Sequence, residues 1–197
     1  MFKPYQTAGG QQAYYFRRIF HIVSLTFLPW FYFIFLIQKS SFLMSNSIYF
    51  FIALVICATP LEVIRLYFGH LIFGMREYEK HTISGAYWGG LSFTLVFLLA
   101  PSPPLGLGII WCVAWVDPLL GVLREKKVSL CLTLCAGLFL SFSIWEGISF
   151  YYELSRLEIA ILAVTAVLCE LPTLKWVDDC ALMMLIPLAI TLLWKIA

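Results

Sequence analysis

Charged residues are scarce in this chain of 197 residues: Asp, Glu, Lys and Arg make up 12% of it, about half of their share in ordinary soluble domains. Hydrophobic residues make up 62%, and the mean hydropathy is +0.91. This composition excludes an ordinary soluble domain and indicates a polytopic membrane protein. Long polar linkers are also lacking, so we expect a single all-α transmembrane domain over residues 1–197, with 1–16 as a short cytoplasmic segment.

We also expect no cleavable signal peptide, because the first apolar run follows Arg17 and Arg18 and has no small-residue cleavage site. Six cysteines are present, all in or beside apolar runs. Cys131 and Cys135 share a helix face, but no His or acidic residue lies beside them to complete a zinc site. We therefore expect the cysteines to pack as small apolar side chains.

Seven apolar runs approach the length of about 20 residues that a helix needs to cross a bilayer. They cover residues 20–38, 47–68, 84–100, 105–123, 128–152, 157–173 and 180–196. We therefore predict about seven transmembrane helices, of which the fourth and the sixth are interrupted by proline or acidic residues.

The basic residues are distributed unequally between the two ends of these runs. One side, which includes the N-terminus, carries Lys3, Arg17, Arg18, Arg65, Arg76, Lys80, Arg124, Lys126, Lys127 and Lys175, whereas the other carries Lys39, Arg156 and Lys195. The positive-inside rule makes the first side cytoplasmic, with the C-terminus outward. Most of the carboxylates fall on this cytoplasmic side too. A carboxylate near hydrocarbon costs several kcal/mol unless it is paired, hydrated or metal-bound, so these residues are functional candidates.

Two motifs place basic residues near the cytoplasmic ends of spans. Arg17, Arg18 and His21 are spaced so that a helix could aim them at one phosphate, although basic flanks also serve simply as topology anchors. Glu62 and Arg65, three residues apart, can either neutralise each other or belong to a substrate site.

The polar connection over residues 69–83 combines basic, acidic and aromatic side chains. Its pattern predicts a surface helix with Ile72 and Met75 towards lipid or protein. Arg76, Glu79 and Lys80 would then face water.

Asp117 lies directly before Pro118 inside the fourth apolar run. We expect the proline to break the helix and leave backbone groups unsatisfied, as is tolerated in a hydrated site. Such a site suits Mg²⁺, which binds one or two carboxylates together with phosphate oxygens. Arg124, Lys126 and Lys127 follow and could hold a phosphate. A turn that merely ends the helix is the alternative interpretation.

A second acidic group consists of Glu170, Asp178 and Asp179. Neighbouring acids repel each other and require water, a cation or basic partners near a low-dielectric region. One of the pair could instead cap the N-terminus of the last span.

In their order along the chain, these motifs resemble the CTP-dependent membrane lipid kinases and related cytidylyltransferases, which include dolichol kinase, phytol and phytyl-phosphate kinases, and CTP-dependent diacylglycerol kinase. The matching elements are R-R-x-x-H with a following Pro and Tyr, L-E-V-I-R-L, R-E-x-E-K-H-T-I-S-G-A, D-P-L-x-G, and Glu-Leu-Pro at 170–172 ahead of the acidic pair at 178–179. The resemblance covers about residues 17–187, and the order of the motifs carries it.

The resemblance implies an all-helical membrane enzyme that transfers the γ-phosphate of CTP to a lipid hydroxyl with the help of Mg²⁺. Asp117, Asp178 and Asp179 would be catalytic and, together with Glu170, would bind the metal. The expected nucleotide- and phosphate-binding residues are Arg17, Arg18, His21, Arg65, Arg76, Lys80, Arg124, Lys126 and Lys127. Glu62 and Glu79 would support them.

The chain departs from the family pattern at several positions. Val116 replaces the usual Gly, Pro118 follows the acid, Cys180 stands where Asn often occurs, and no Lys-x-x-Glu-Gly signature follows Lys127. Two alternatives therefore stay open: a cytidylyltransferase that joins CMP to a lipid phosphate, and a membrane protein that retains the fold without catalysis. The expected partners are CTP, a membrane lipid alcohol and the bilayer, with no nucleic acid; homo-oligomerisation is left open.

Overall fold

The computed structural model describes residues 7–37, 41–172, 174 and 176–196. Lys3, Lys39 and Lys175, which entered the count of basic residues, lie outside the described residues. Within them the chain forms seven α-helices and no β-strand: α1 (Gly10–Ile37), α2 (Ser41–Phe68), α3 (Gly85–Leu99), α4 (Pro103–Glu125), α5 (Leu130–Ser149), α6 (Arg156–Cys169) and α7 (Asp179–Ile196). The all-α prediction is confirmed.

The helices follow the predicted apolar runs, except that α1 and α2 begin ten and six residues before theirs. Helix α1 begins at Gly10, so that part of the expected segment 1–16 and all of the Arg17, Arg18 and His21 motif are helical. A hydropathy criterion does not detect the first part of this helix, because it contains polar residues such as Gln11 and Gln12. The helix is therefore longer than the apolar run that predicted it.

Three of the described helices have a segment long and apolar enough to cross a membrane: Phe51–Phe68 in α2, Pro103–Glu125 in α4 and Leu130–Ser149 in α5. Helix α3 is apolar but has 15 residues. These helices support a membrane protein.

Helix α4 is the centre of the bundle, since it packs against α1, α5 and α7 and also touches α3 and α6. Ile109, Val113 and Val116 on this helix are completely buried. Helices α4 and α5 approach closely through glycines: a Cβ added at Gly108 would lie 2.6 Å from the Trp145 ring. Two thirds of α4 is buried, in contrast to 11% of the apolar segment of α2, which is therefore peripheral.

The predicted break at Asp117 and Pro118 is wrong, because α4 continues through the proline to Glu125. Proline removes one backbone hydrogen bond from a helix interior. Val116 and Leu120 are buried on either side of it, and Arg18 donates a hydrogen bond to the Pro118 carbonyl at 3.3 Å. Tertiary contacts therefore hold the helix on both sides of the proline.

The predicted surface helix over residues 69–83 is also wrong. This connection forms only a short 3₁₀ helix, Glu77–His81. Lys80 is exposed as predicted, but Glu79 is buried, with 1% of its surface accessible. Its carboxylate turns inward because it accepts hydrogen bonds from the Arg17 side chain and from the Arg76 backbone.

The chain runs back and forth, so alternate connections meet at the same end of the bundle. The starts of α1, α3 and α7 and the ends of α2, α4 and α6 share one end, as side-chain contacts from Arg17 to Glu79, His21 to Asp117 and Arg124 to Glu170 show. The motifs singled out from the sequence lie at this end.

Candidate functional site

Four carboxylates from separate parts of the chain meet at this end. Asp117 comes from α4, Glu170 follows α6, and Asp178 and Asp179 lie at the start of α7. Oxygen atoms of Asp117, Glu170 and Asp179 lie within 4.8 Å of one another. Glu170 is buried, and its carboxylate pairs with Arg124. The sequence identified these acids as candidates, and the fold brings them together.

This carboxylate cluster, Asp117, Glu170 and Asp179, has the donor chemistry that Mg²⁺ requires. Magnesium binds carboxylate oxygens and retains water, so a group of acids in which Glu170 is buried while Asp117 and Asp179 stay partly exposed matches its preferences. Carboxylates this close repel one another unless a cation lies between them. Beside the cluster, the Asp178 Oδ2 atom is buried and, within the described part of the chain, has no hydrogen-bond partner. The residues present therefore fit a divalent cation.

Asp178 lies just before α7, between acidic and basic neighbours. Burial and the charge of Asp179 raise the pKa of Asp178 to about 7, although Arg76 and Arg17 oppose this shift. The Arg76 Nη1 atom lies 3.7 Å from Asp178 Oδ1 and donates a hydrogen bond to the Tyr78 hydroxyl at 2.6 Å. Asp178 is therefore a better proton acceptor than an exposed aspartate.

Arg17 reaches the same region from α1. Its Nη1 atom donates to Glu79 Oε1 at 3.0 Å, and this ion pair orients the guanidinium towards the start of α3. A Cβ added at Gly85 would lie 2.7 Å from Arg17 Nη2 and 3.0 Å from Asp178 Oδ2. The glycine therefore makes room for the two charged side chains, which explains a small residue in the Ser84-Gly85-Ala86 stretch.

Arg18 and His21 connect α1 to α4. The Arg18 guanidinium lies 4.6 Å above the Tyr14 ring and 3.8 Å from a Glu125 oxygen. The Tyr14 hydroxyl donates to the same carboxylate at 2.5 Å. His21 instead approaches Asp117, with its Nε2 atom 3.6 Å from Asp117 Oδ2. Arg18 therefore lies at the edge of the site and His21 beside the carboxylates.

Glu62 and Arg65 form a buried ion pair that supports the site from α2. Two Arg65 nitrogens lie 2.9 Å from the Glu62 oxygens, and Arg65 also donates to the carbonyls of Glu79 and Thr82 at 2.7 Å. Glu62 accepts the Ser84 N–H at 2.6 Å. These contacts hold the 69–83 connection and the start of α3 in place, and they occupy the donors of Arg65.

The three lysines among the predicted phosphate-binding residues lie at the surface. Lys80, Lys126 and Lys127 are exposed, and within the described ranges no ion pair joins them to a carboxylate. Their ammonium groups are free to reach a bound anion. The two lysines after α4 follow Arg124, which bends back to Glu170.

Cys180 was expected only to pack, but it belongs to the site. It is buried, with 8% of its surface accessible, and its thiol lies 3.5 Å from Asp117 Oδ2. The sequence signal for this position was its place directly after Asp178 and Asp179. Its hydropathy placed the residue in the last apolar run, and this gave no indication of its contact with α4.

Comparisons with protein-family models, curated proteins and solved structures found no match to this chain. Its function is therefore argued from the geometry of the site and from the motifs of the sequence.

Proposed function

We propose that this chain is a membrane lipid kinase that transfers the γ-phosphate of CTP to a lipid hydroxyl. The site would face the cytoplasm at the end of a bundle of seven transmembrane helices. The closeness of Asp117, Glu170 and Asp179 is the observation that carries the proposal. These residues belong to two motifs far apart in the sequence, and both motifs resemble those of the CTP-dependent lipid kinases.

The arginines around the carboxylates supply the positive charge that a nucleotide requires. Arg17 and Arg76 flank Asp178, and Arg124 is paired with Glu170. Phosphate oxygens accept strong, charge-assisted hydrogen bonds from guanidinium groups. We assign the γ-phosphate to the region between Arg17 and Arg76. The exposed Lys126 and Lys127 would attract the nucleotide from solution.

Asp117, Glu170 and Asp179 would hold Mg²⁺. When bound, the metal neutralises the charge that develops on the phosphate oxygens. The surrounding helices hold the three side chains in place before substrate arrives, which reduces the reorganisation needed during the reaction.

In the proposed reaction, the lipid hydroxyl oxygen forms a bond to the γ-phosphorus, and the bond between that phosphorus and the β,γ-bridging oxygen breaks. The products are a lipid phosphate and CDP. The hydroxyl proton would pass to Asp178, whose buried Oδ2 atom has no hydrogen-bond partner within the described residues. Arg17 and Arg76 would stabilise the transferring phosphoryl group.

Purified protein in detergent with Mg²⁺ should transfer label from γ-labelled CTP to prenol, phytol or diacylglycerol. Asp117→Asn keeps the size of the side chain but removes a charge that binds the metal. We expect it to reduce transfer by about a hundred- to a thousandfold, the scale of losing one electrostatic element of an active site. The measurement is the initial rate of label incorporation into the lipid fraction.

Glu146→Gln is the matched control, because Glu146 pairs with Arg156 at the opposite end of the bundle. Its rate should equal that of the unchanged protein. Full activity of Asp117→Asn would remove Asp117 from the mechanism. Incorporation of α-label into lipid would indicate cytidyl transfer, and an absence of transfer from both labels to all three lipids would contradict an enzyme of this class.

A further inference from the structure

A second set of metal-binding atoms lies beside the carboxylate cluster. His21, Asp117 and Cys180, from α1, α4 and α7, each offer one ligand atom, and these atoms lie within 4.8 Å of one another. The set contains a nitrogen, an oxygen and a sulfur. Sulfur and imidazole ligands favour zinc and related transition metals, whereas magnesium favours oxygen alone.

Two of the three distances within this set agree with ligands of a shared tetrahedral ion, and the ligand atoms of His21 and Cys180 lie within 4.8 Å of each other. Asp117 Oδ2 lies 3.6 Å from His21 Nε2 and 3.5 Å from Cys180 Sγ. Ligands bound to zinc at its usual distances and at tetrahedral angles lie roughly 3.3–3.6 Å apart. A direct hydrogen bond from nitrogen to oxygen would be shorter, at about 2.9 Å.

Metal binding would change the partner of the His21 Nε2 atom. His21 Nε2 also lies 3.3 Å from the Val113 carbonyl oxygen, a contact that needs a proton on that nitrogen. In the metal-bound form the proton would lie on Nδ1, so Nε2 could donate its electron pair to the metal. The Cys180 thiol would lose its proton to solvent as the sulfur–metal bond forms.

We propose that His21, Asp117 and Cys180 bind a zinc-type divalent metal ion, next to the magnesium position and with Asp117 shared between the two. Three protein ligands leave the fourth tetrahedral position to water or to a phosphate oxygen. Cys180, which stands where Asn often occurs in the lipid kinases, supplies the sulfur. This metal site goes beyond the proposed kinase reaction and does not depend on it.

Co²⁺ is the probe, because a thiolate ligand gives it a strong sulfur-to-metal charge-transfer absorption. The purified full-length protein, without nucleotide or lipid, should bind about one Co²⁺ with this band, and Zn²⁺ should displace the Co²⁺. Cys180→Ser should abolish the band. His21→Gln should retain it at saturating Co²⁺ but weaken binding by more than about tenfold, since a direct ligand matters at least as much as the outer partners of ligands.

Two cysteine controls locate the absorbing sulfur. Cys112→Ser changes another buried cysteine of the core, one that contacts Ser141 instead of an acid, and should leave the band unchanged. The double variant Cys131→Ser and Cys135→Ser removes the two exposed cysteines of α5 and should also leave it unchanged.

Loss of the band in the α5 double variant, its persistence in Cys180→Ser, or its absence from the unchanged protein would each overturn the proposal. Since these spectra involve no phosphate transfer, an inactive kinase that still shows the Cys180-dependent band would retain the metal site. If the protein transfers phosphate but shows no band, the proposed kinase function would stand and the proposed metal site would be wrong.

Discussion

Gly85 has only a hydrogen atom as its side chain, and this allows the charged side chains of Arg17 and Asp178 to approach the start of α3 closely. At Gly85, an added Cβ would lie 2.7 Å from Arg17 Nη2, a separation that real Cβ atoms do not adopt, and 3.0 Å from Asp178 Oδ2, which is tighter than most real contacts. Gly89, one helical turn later, has nothing within 4 Å of the corresponding position. The two glycines therefore provide a matched pair on one helix.

We predict that Gly85→Ala reduces phosphate transfer on the order of a hundredfold, because a displacement of about 1 Å in a reacting group has that effect. Gly89→Ala should keep its activity and be more stable by about 0.5–1 kcal/mol, as Ala favours the helix over Gly. Rates of label transfer and unfolding temperatures in one detergent test both variants. Equal activity of the two variants would show that the close approach at Gly85 is unimportant.

At the scale of the helices and their connections, the sequence predicted well what depends on hydropathy and poorly what depends on tertiary contacts. The ends of α3 to α7 lie within about four residues of the predicted runs, because apolar length is a local property. The course of α4 through Pro118 and the burial of Glu79 depend on contacts with Arg18, Arg17 and buried neighbours. Such contacts cannot be inferred from spacing along one chain.

The same distinction applies to the residues of the site. Asp117, Glu170, Asp178 and Asp179 stood out because acids are costly within apolar runs. Cys180 did not stand out, because cysteine is common in buried segments. Its contact with Asp117 is what makes it a candidate metal ligand. The carboxylates were therefore predictable, whereas the mixed ligand set was not.

The Glu62 and Arg65 ion pair makes the 69–83 connection part of the bundle, and its loss should unfold this region. We predict that Arg65→Met destabilises the protein by about 3–5 kcal/mol, because it leaves a buried carboxylate without its partner. The double variant Glu62→Gln with Arg65→Met should recover part of this loss. The free energy of unfolding in detergent is the quantity to compare.

An exposed pair provides the control for that comparison. Arg156 pairs with Glu146 while 81% of its side chain remains accessible, so Arg156→Met should cost at most about 1 kcal/mol. Equal losses for Arg65→Met and Arg156→Met would contradict a supporting role for the buried pair.

For the whole molecule, the back-and-forth course of the chain and the distribution of basic residues predict which surface faces the cytoplasm. The site end carries Arg17, Arg18, Arg124, Lys126 and Lys127, whereas Arg156 and Lys195 lie towards the other end. Positive residues are retained on the cytoplasmic side during insertion. CTP and the site would then share one compartment.

Single cysteines introduced after removal of the exposed native ones (Cys57, Cys131 and Cys135) test this orientation with a thiol reagent that cannot cross membranes. We predict that Glu153→Cys reacts in intact cells, whereas Lys80→Cys and Lys126→Cys react only after the membrane is opened. Helices α3 and α4 lie between positions 80 and 126, and α4 is long and apolar enough to span. If α3, with its 15 residues, did not also span, these two positions would react from opposite sides, and the seven-span topology would be wrong.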